Sequence, residues 1–238
     1  MRREIKSIVI SCLLASISFF VISCDIDDND NGVGSGVLGK HLNLSGQVYE
    51  KMREGGYEKW NFSDDGVIYS ELGGNGVLKK NGQFSFNIGT PNQYHPHFFW
   101  EWIYDNIEEL NNFKISSASV QMALLRPLAV NFDSASFVGN LSRFQEPIPQ
   151  TSKRVMEDVY FIYIDHDVNV SADKTNYTSQ QSVNYTIDAF NHSLKAGWNA
   201  VYVKTLFEDN NTFKTFLHAN PSHLKWTLEI ITITPFQN

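Results

Sequence analysis

Gln83-Phe84-Ser85-Phe86-Asn87-Ile88 alternates polar and apolar residues at every step, and Asn81-Gly82 stands just before it. A period of two puts Phe84, Phe86 and Ile88 on one face of an extended strand, with Ser85 and Asn87 on the other. Asn-Gly supplies the positive φ angles of a tight hairpin turn, so this strand has an antiparallel neighbour immediately upstream. The same punctuation continues outward. Asp65-Gly66 and Asn75-Gly76 separate apolar runs at Tyr57–Phe62, Val67–Tyr69 and Val77–Lys79. Leu42, Leu44, Val48 and Tyr49 form a first strand, broken at Gly46. The expectation for this half is a β-meander.

Downstream, Lys114 to Val130 is strand-like but cut by Pro127. Asn131 to Arg154 holds Pro147 and Pro149 and little periodicity, so it reads as a long loop, or as a connection between two lobes with a boundary near 145–154. Asp158-Val-Tyr-Phe-Ile-Tyr-Ile-Asp165 is apolar on both faces, which fits a central strand. Val168 and Val170, the run Val183 to Ala189, Trp198 to Thr205 after the turn at Lys195-Ala196-Gly197, and Phe213 to Leu217 extend the series. Leu224, Trp226, Leu228 and Ile230 alternate with polar residues and close it. Roughly ten short strands with turn residues between them give an all-β fold, an antiparallel sandwich or partly closed barrel. The one interruption is the aromatic stretch within residues 94–113, where Phe99, Ile103, Ile107 and Leu110 keep helical spacing after Pro96, so one short helix is expected.

The N-terminus has a different character. Arg2, Arg3 and Lys6 precede an apolar run from Ile8 to Ile22, the layout of a secretory signal and too short for a spanning helix. Val21-Ile22-Ser23-Cys24 resembles the lipobox of bacterial lipoproteins. That resemblance implies cleavage before Cys24, a diacylglycerol thioether on its sulfur, and attachment to the membrane through the N-terminal lipid. Residues 1–23 are then a signal peptide and residues 24–40, rich in Asp and Gly, a solvated tether. Residues 41–238 are the all-β globular domain. The segment from Leu194 to Val203, with Asn220 to Leu228, is similar to small all-β lipoproteins of host-associated bacteria whose function is unassigned. This similarity covers about the last third of the chain and brings no chemistry with it.

Processing bounds what the domain can be. Removing three cations and one anion takes the formal net charge from −7 to about −9, which argues against nucleic acid as a partner. Cys12 lies in the signal and Cys24 carries lipid, so the folded part has no thiol. Structural disulfides, zinc-thiolate sites and cysteine nucleophiles are excluded together. About 215 residues remain, enough to bury a core without such staples.

Chemistry is sparsely signalled. His95-x-His97 places two imidazoles on one face of an extended segment, and Asp165-His166-Asp167 offers further ligands. The spacing fixes no third ligand, so neither metal nor cofactor is assigned. No G-x-S-x-G elbow occurs, so no catalytic residue is named. Carboxylate pairs at Asp64/Asp65 and Glu108/Glu109 are adjacent in sequence, which suits solvated turns. Asn-x-Ser/Thr sequences, among them Asn43, Asn176 and Asn184, are read as polar residues of turns and solvent faces. Tyr94, Trp100, Trp102 and Tyr104 are the candidate ligand-binding residues, because aromatic rings give large contact area at low entropic cost. The competing reading has them plug one end of the sandwich. One of Trp100 and Trp102 should be exposed, Trp100 being favoured by its polar neighbours. The expected function is a lipid-anchored binding or interaction module of the cell envelope, facing the periplasm or the cell surface, with a protein or carbohydrate ligand. The alternatives are a structural or antigenic surface protein and, less favoured, a hydrolase.

Overall fold

The computed structural model describes residues 33–52, 56–94, 100–104, 107–125, 127–132, 137–145 and 153–232. Their strands are β1 (Val33–Ser35), β2 (Val37–Gly39), β3 (Leu42–Lys51), β4 (Tyr57–Lys59), β5 (Gly66–Tyr69), β6 (Asn75–Leu78) and β7 (Gln83–Ile88). A helix, α1 (Trp100–Tyr104), and a 3-10 turn at Ile107–Glu109 follow. Then come β8 (Lys114–Ile115), β9 (Met122–Leu125), β10 (Leu128–Phe132), β11 (Phe137–Gln145), β12 (Lys153–Ile164), β13 (Val168–Ala172) and β14 (Thr175–Thr178). The last are β15 (Asn184–Ile187), β16 (Phe190–Leu194), β17 (Gly197–Glu208), β18 (Asn211–Leu217), β19 (Ala219–Pro221) and β20 (Trp226–Thr232). The fold is all-β, with one short α-helix among the described residues, within the aromatic stretch.

The meander of the first half closes on itself. β5, β6, β7 and β3 pair antiparallel in that order. β3 then meets β20 in parallel, β20 meets β11, β11 meets β10, and β10 returns to β5. Seven strands thus form a ring with no free edge between them. Its inward residues include Val48, Ile68, Leu78, Phe84, Phe86, Ile88, Val130 and Phe132, all buried. The alternation of Phe84, Phe86 and Ile88 is realised as an exposed–buried pattern along the whole of β7. Gly46 leaves room for the Trp226 indole, which a side chain there would crowd at 3.3 Å.

β11 outlasts the ring. Phe144 and Gln145 pair with β12, which opens a second sheet in the order β12-β17-β18-β15-β14. β12 and β17 pair over twelve residues each, while β9 takes the other edge of β12. These three strands are apolar on both faces. Ala123, Leu125, Val159, Phe161, Trp198 and Ala200 face the core shared with the ring. Met122, Leu124, Ile162, Ile164, Val201 and Val203 face a second core. The three-stranded sheet β16-β13-β8 and helix α1 add to that second core, with Leu110, Val120, Ile187 and Phe216. The Asp158–Asp165 run therefore has two apolar faces because it is a wall between two cores.

Four expectations need correction. Residues 33–39 are not tether: β1 pairs with β19 and β2 with β17. The glycines there serve close approach, since a Cβ on Gly36 would strike the His218 ring, and Gly36 O accepts the Ala200 N–H at 2.7 Å. Asn75-Gly76 is not a turn but lies inside β6; the reversal is made by Ser70–Gly74, with Gly73 and Gly74 at positive φ. Asn131–Arg154 is not a long loop, because it contains β11, and β11 and β12 pair with each other across the supposed lobe boundary. All described residues fall in one compact unit instead of two lobes.

Candidate functional site

Within the aromatic stretch, α1 builds core through Trp100, Ile103 and Tyr104. Trp100 and Tyr104 are fully buried, one helical turn apart on α1. Trp100 stacks on Tyr104 at 6.1 Å, and Tyr104 stacks on Phe190 at 4.8 Å with planes 8° apart. His192 donates from Nε2 to the Phe216 carbonyl at 3.2 Å, so its Nδ1 accepts the Tyr104 hydroxyl at 2.9 Å. Burial pushes the Tyr104 phenol up and draws the His192 imidazole down to about 4, so the pair is neutral. Trp100 is therefore not the exposed member of its pair, and neither it nor Tyr104 can touch a ligand without opening the second core. Trp102 has its side chain outside the described residues. Of the three candidates whose side chains are described, Tyr94 has an open face, 38% exposed, its ring 6.1 Å from that of Tyr163.

The polar candidates resolve locally. His95 and His97 lie outside the described residues. Among the described residues no cluster of three metal-ligating side chains occurs. The Asp165-His166-Asp167 turn spends its groups on neighbours: Asp167 accepts from Lys195 Nζ and the Ala196 N–H, each at 2.9 Å. Asp65 accepts from Lys79 Nζ and the Lys80 N–H, and these hydrogen bonds hold its carboxyl below the usual range. Glu108 and Glu109 are exposed on the 3-10 turn. No carboxylate pair faces another across a cleft in these places.

A site does emerge on the outside of the ring. The residues of β3, β7 and β6 that point away from the core stand in cross-strand rows: Asn43, Asn87 and Asn75 in one, Ser45, Ser85 and Val77 in the next. Val67 on β5 extends the second row, and Gln47 pairs with Gln83 in a third. Asn87 Nδ2 donates to Asn43 Oδ1, which ties two strands through their amides. Asn43, Ser45, Asn75, Val77, Ser85 and Asn87 line a shallow open groove of about 500 Å³. Tyr69 and Val67, 44% and 55% exposed, flank it on β5.

Every one of these outward positions is uncharged, on a chain whose net charge is −7. At one end of the strands Lys79 and Asp65 neutralise each other at 2.9 Å. Adjacent strands lie about 4.8 Å apart, so the Asn row offers a donor and an acceptor at each such step. Gly76, opposite the inward Phe86, lets β6 and β7 approach closely, because a Cβ there would lie 2.3 Å from Ser85 O. Sequence reasoning passed over this face although Asn43-x-Ser45 and Ser85-x-Asn87 were in view. Single strands show which residues point outward, and only the register shows that they align into rows. Comparison with family models, with curated proteins and with solved structures finds no match.

Proposed function

We propose that this chain is a lipid-anchored binding module of the cell envelope that takes a neutral glycan on the outer face of β3, β7, β6 and β5. The observation that carries the reading is the row of three amides flanked by hydroxyls and an exposed tyrosine, with no charged side chain among them. Amides and hydroxyls match the donors and acceptors of sugar hydroxyl groups, and a phenol ring offers an apolar surface to a pyranose face. The residues that line the groove itself offer no cation to a phosphorylated or acidic ligand and no anion to a basic one. The flat relief suits a chain lying across strands.

The binding test uses the full chain in detergent with a panel of neutral oligosaccharides of the cello, malto, xylo and chito series. Asn87→Ala and Tyr69→Ala should each weaken binding about tenfold, roughly 1.4 kcal/mol, with the melting transition unmoved. Failure of the whole panel to bind, or unchanged affinity in both variants, would sink the glycan reading. The anchor rests on Val21–Cys24. Wild type should enter the detergent phase on phase partitioning and Cys24→Ala the aqueous phase; equal partitioning of the two would remove the lipid from the proposal.

A further inference from the structure

Ser117, His166 and Asp165 stand in a chain of short hydrogen bonds. Ser117 Oγ lies 2.8 Å from His166 Nε2, and His166 Nδ1 lies 2.7 Å from Asp165 Oδ1. The carboxylate can only accept, so Nδ1 carries the proton and Nε2 is left to accept the Ser117 hydroxyl. Ser119 Oγ sits 3.1 Å from Ser117 Oγ, where its hydroxyl donates to the same oxygen. That is the arrangement of a nucleophile, a base and a group that orients the base.

The surrounding backbone holds it in place. Asp165 N–H donates to Gln121 O at 3.1 Å and Asp165 Oδ1 accepts the Gln121 N–H at 2.9 Å. On the other side, Ser116 N–H donates to Asn169 O at 3.0 Å and Asn169 N–H to Ser116 Oγ at 2.9 Å. The segment before β9 is thus tied to the turn after β12 on both sides of the Ser117–His166 contact. The imidazole is 41% exposed, so a substrate can reach it, and the exposed tyrosine Tyr94 stands close to Asp165.

We propose that Ser117, His166 and Asp165 form a second site, independent of the glycan face, that hydrolyses small uncharged carboxylic esters. The Asp165 carboxylate against His166 disfavours an anionic substrate, Asp167 being paired with Lys195. Ser117 Oγ attacks the ester carbonyl carbon while its proton passes to His166 Nε2. The tetrahedral adduct collapses by breaking the bond to the alcohol oxygen, which leaves with the proton from Nε2. Water, deprotonated by the same nitrogen, then attacks the acyl-serine and releases the carboxylic acid and free Ser117. Asp165 is a positioning residue that holds the imidazole with Nε2 turned to Ser117 Oγ.

The test treats the full chain with diisopropyl fluorophosphate, which transfers its phosphoryl group to an activated serine with loss of fluoride, and maps the adduct by peptide mass. The adduct should form on Ser117, vanish in Ser117→Ala, slow at least tenfold in His166→Ala and recover in part with added imidazole. Asp165→Asn should slow labelling of Ser117 because the imidazole is no longer held with Nδ1 protonated, and Asp165→Glu should restore part of the rate. p-Nitrophenyl acetate turnover should fall with labelling in each variant, while melts confirm that each still folds. Labelling of Ser117 no faster than of the exposed Ser119 or Ser222, or equal rates in wild type and His166→Ala, would overturn the proposal.

Discussion

Trp60 and Trp198 are both buried indoles, yet their ring nitrogens are in opposite states. Trp198 Nε1 donates to Gly89 O at 2.8 Å, which ties β17 to the end of β7. Trp60 Nε1 is buried without a hydrogen-bond partner among the described residues. Replacing each by Phe removes the same atoms, so the transfer and cavity costs are similar, and the two variants differ chiefly by one bond. A buried carbonyl left without its donor costs about 1–3 kcal/mol, whereas an indole N–H already unpaired costs nothing further to remove. Trp198→Phe should therefore be less stable than Trp60→Phe by about that amount in denaturant titrations. Equal losses would mean that the Gly89 bond contributes nothing. Of this pair the sequence shows only the two indoles; which one finds a carbonyl depends on how Gly89, more than a hundred residues from Trp198, is brought across it.

Among the elements, β12 carries the half-buried Asp158 and β16 the buried His192, two titratable groups that oppose each other. Burial pushes the Asp158 carboxyl up to about 6 from 3.8, partly offset by the Val159 N–H. Between those values the folded chain keeps a proton that the unfolded chain has released. Stability from Asp158 is thus fully present below about pH 4 and lost as pH rises through about 6. His192, drawn down to about 4 from 6.5, works the other way: its contribution is fully present above about pH 6.5 and lost as pH falls through about 4. Asp158→Asn should leave a chain whose stability rises with pH across this window, and His192→Gln one whose stability falls, each by on the order of 2 kcal/mol. Urea midpoints measured through the window would show it; identical slopes in both variants would contradict it. Element identity was readable where one face is solvated, as in β7 and β20, and where both faces are apolar, as in β12. It was not readable where glycine carries the strand. Gly34 and Gly36 look flexible in a sequence and prove to be points where two backbones meet. β11 was also hidden, since its run from Phe137 to Gln145 lies between turn-like residues and is held by long-range pairing with β20 and β10.

For the whole molecule, one long pair of strands separates two cores, and the ring presents its polar side to solvent. Phe161 and Ile162 are consecutive residues that serve different cores, which is why the described residues pack as one unit. The all-β class followed from alternation and turn residues, but the closure of seven strands rests on the β10–β11 and β3–β20 pairings, which no local pattern announces. The site was misplaced for a related reason. Aromatic density marked Trp100 and Tyr104, and burial used them as core, while the uncharged rows on the ring carry no composition signal at all. The direct test of the account is an NMR titration of the full chain in micelles with the tightest-binding neutral oligosaccharide of the panel, following the side-chain amides. The control is a second group of amides, Asn176, Asn184 and Asn211, on β14, β15 and β18, which hydrogen-bond among themselves and with Thr178 and Thr186. The account predicts saturable shifts of Asn43, Asn75 and Asn87 with Asn176, Asn184 and Asn211 unmoved; shifts confined to the second group, or spread evenly over both, would contradict it.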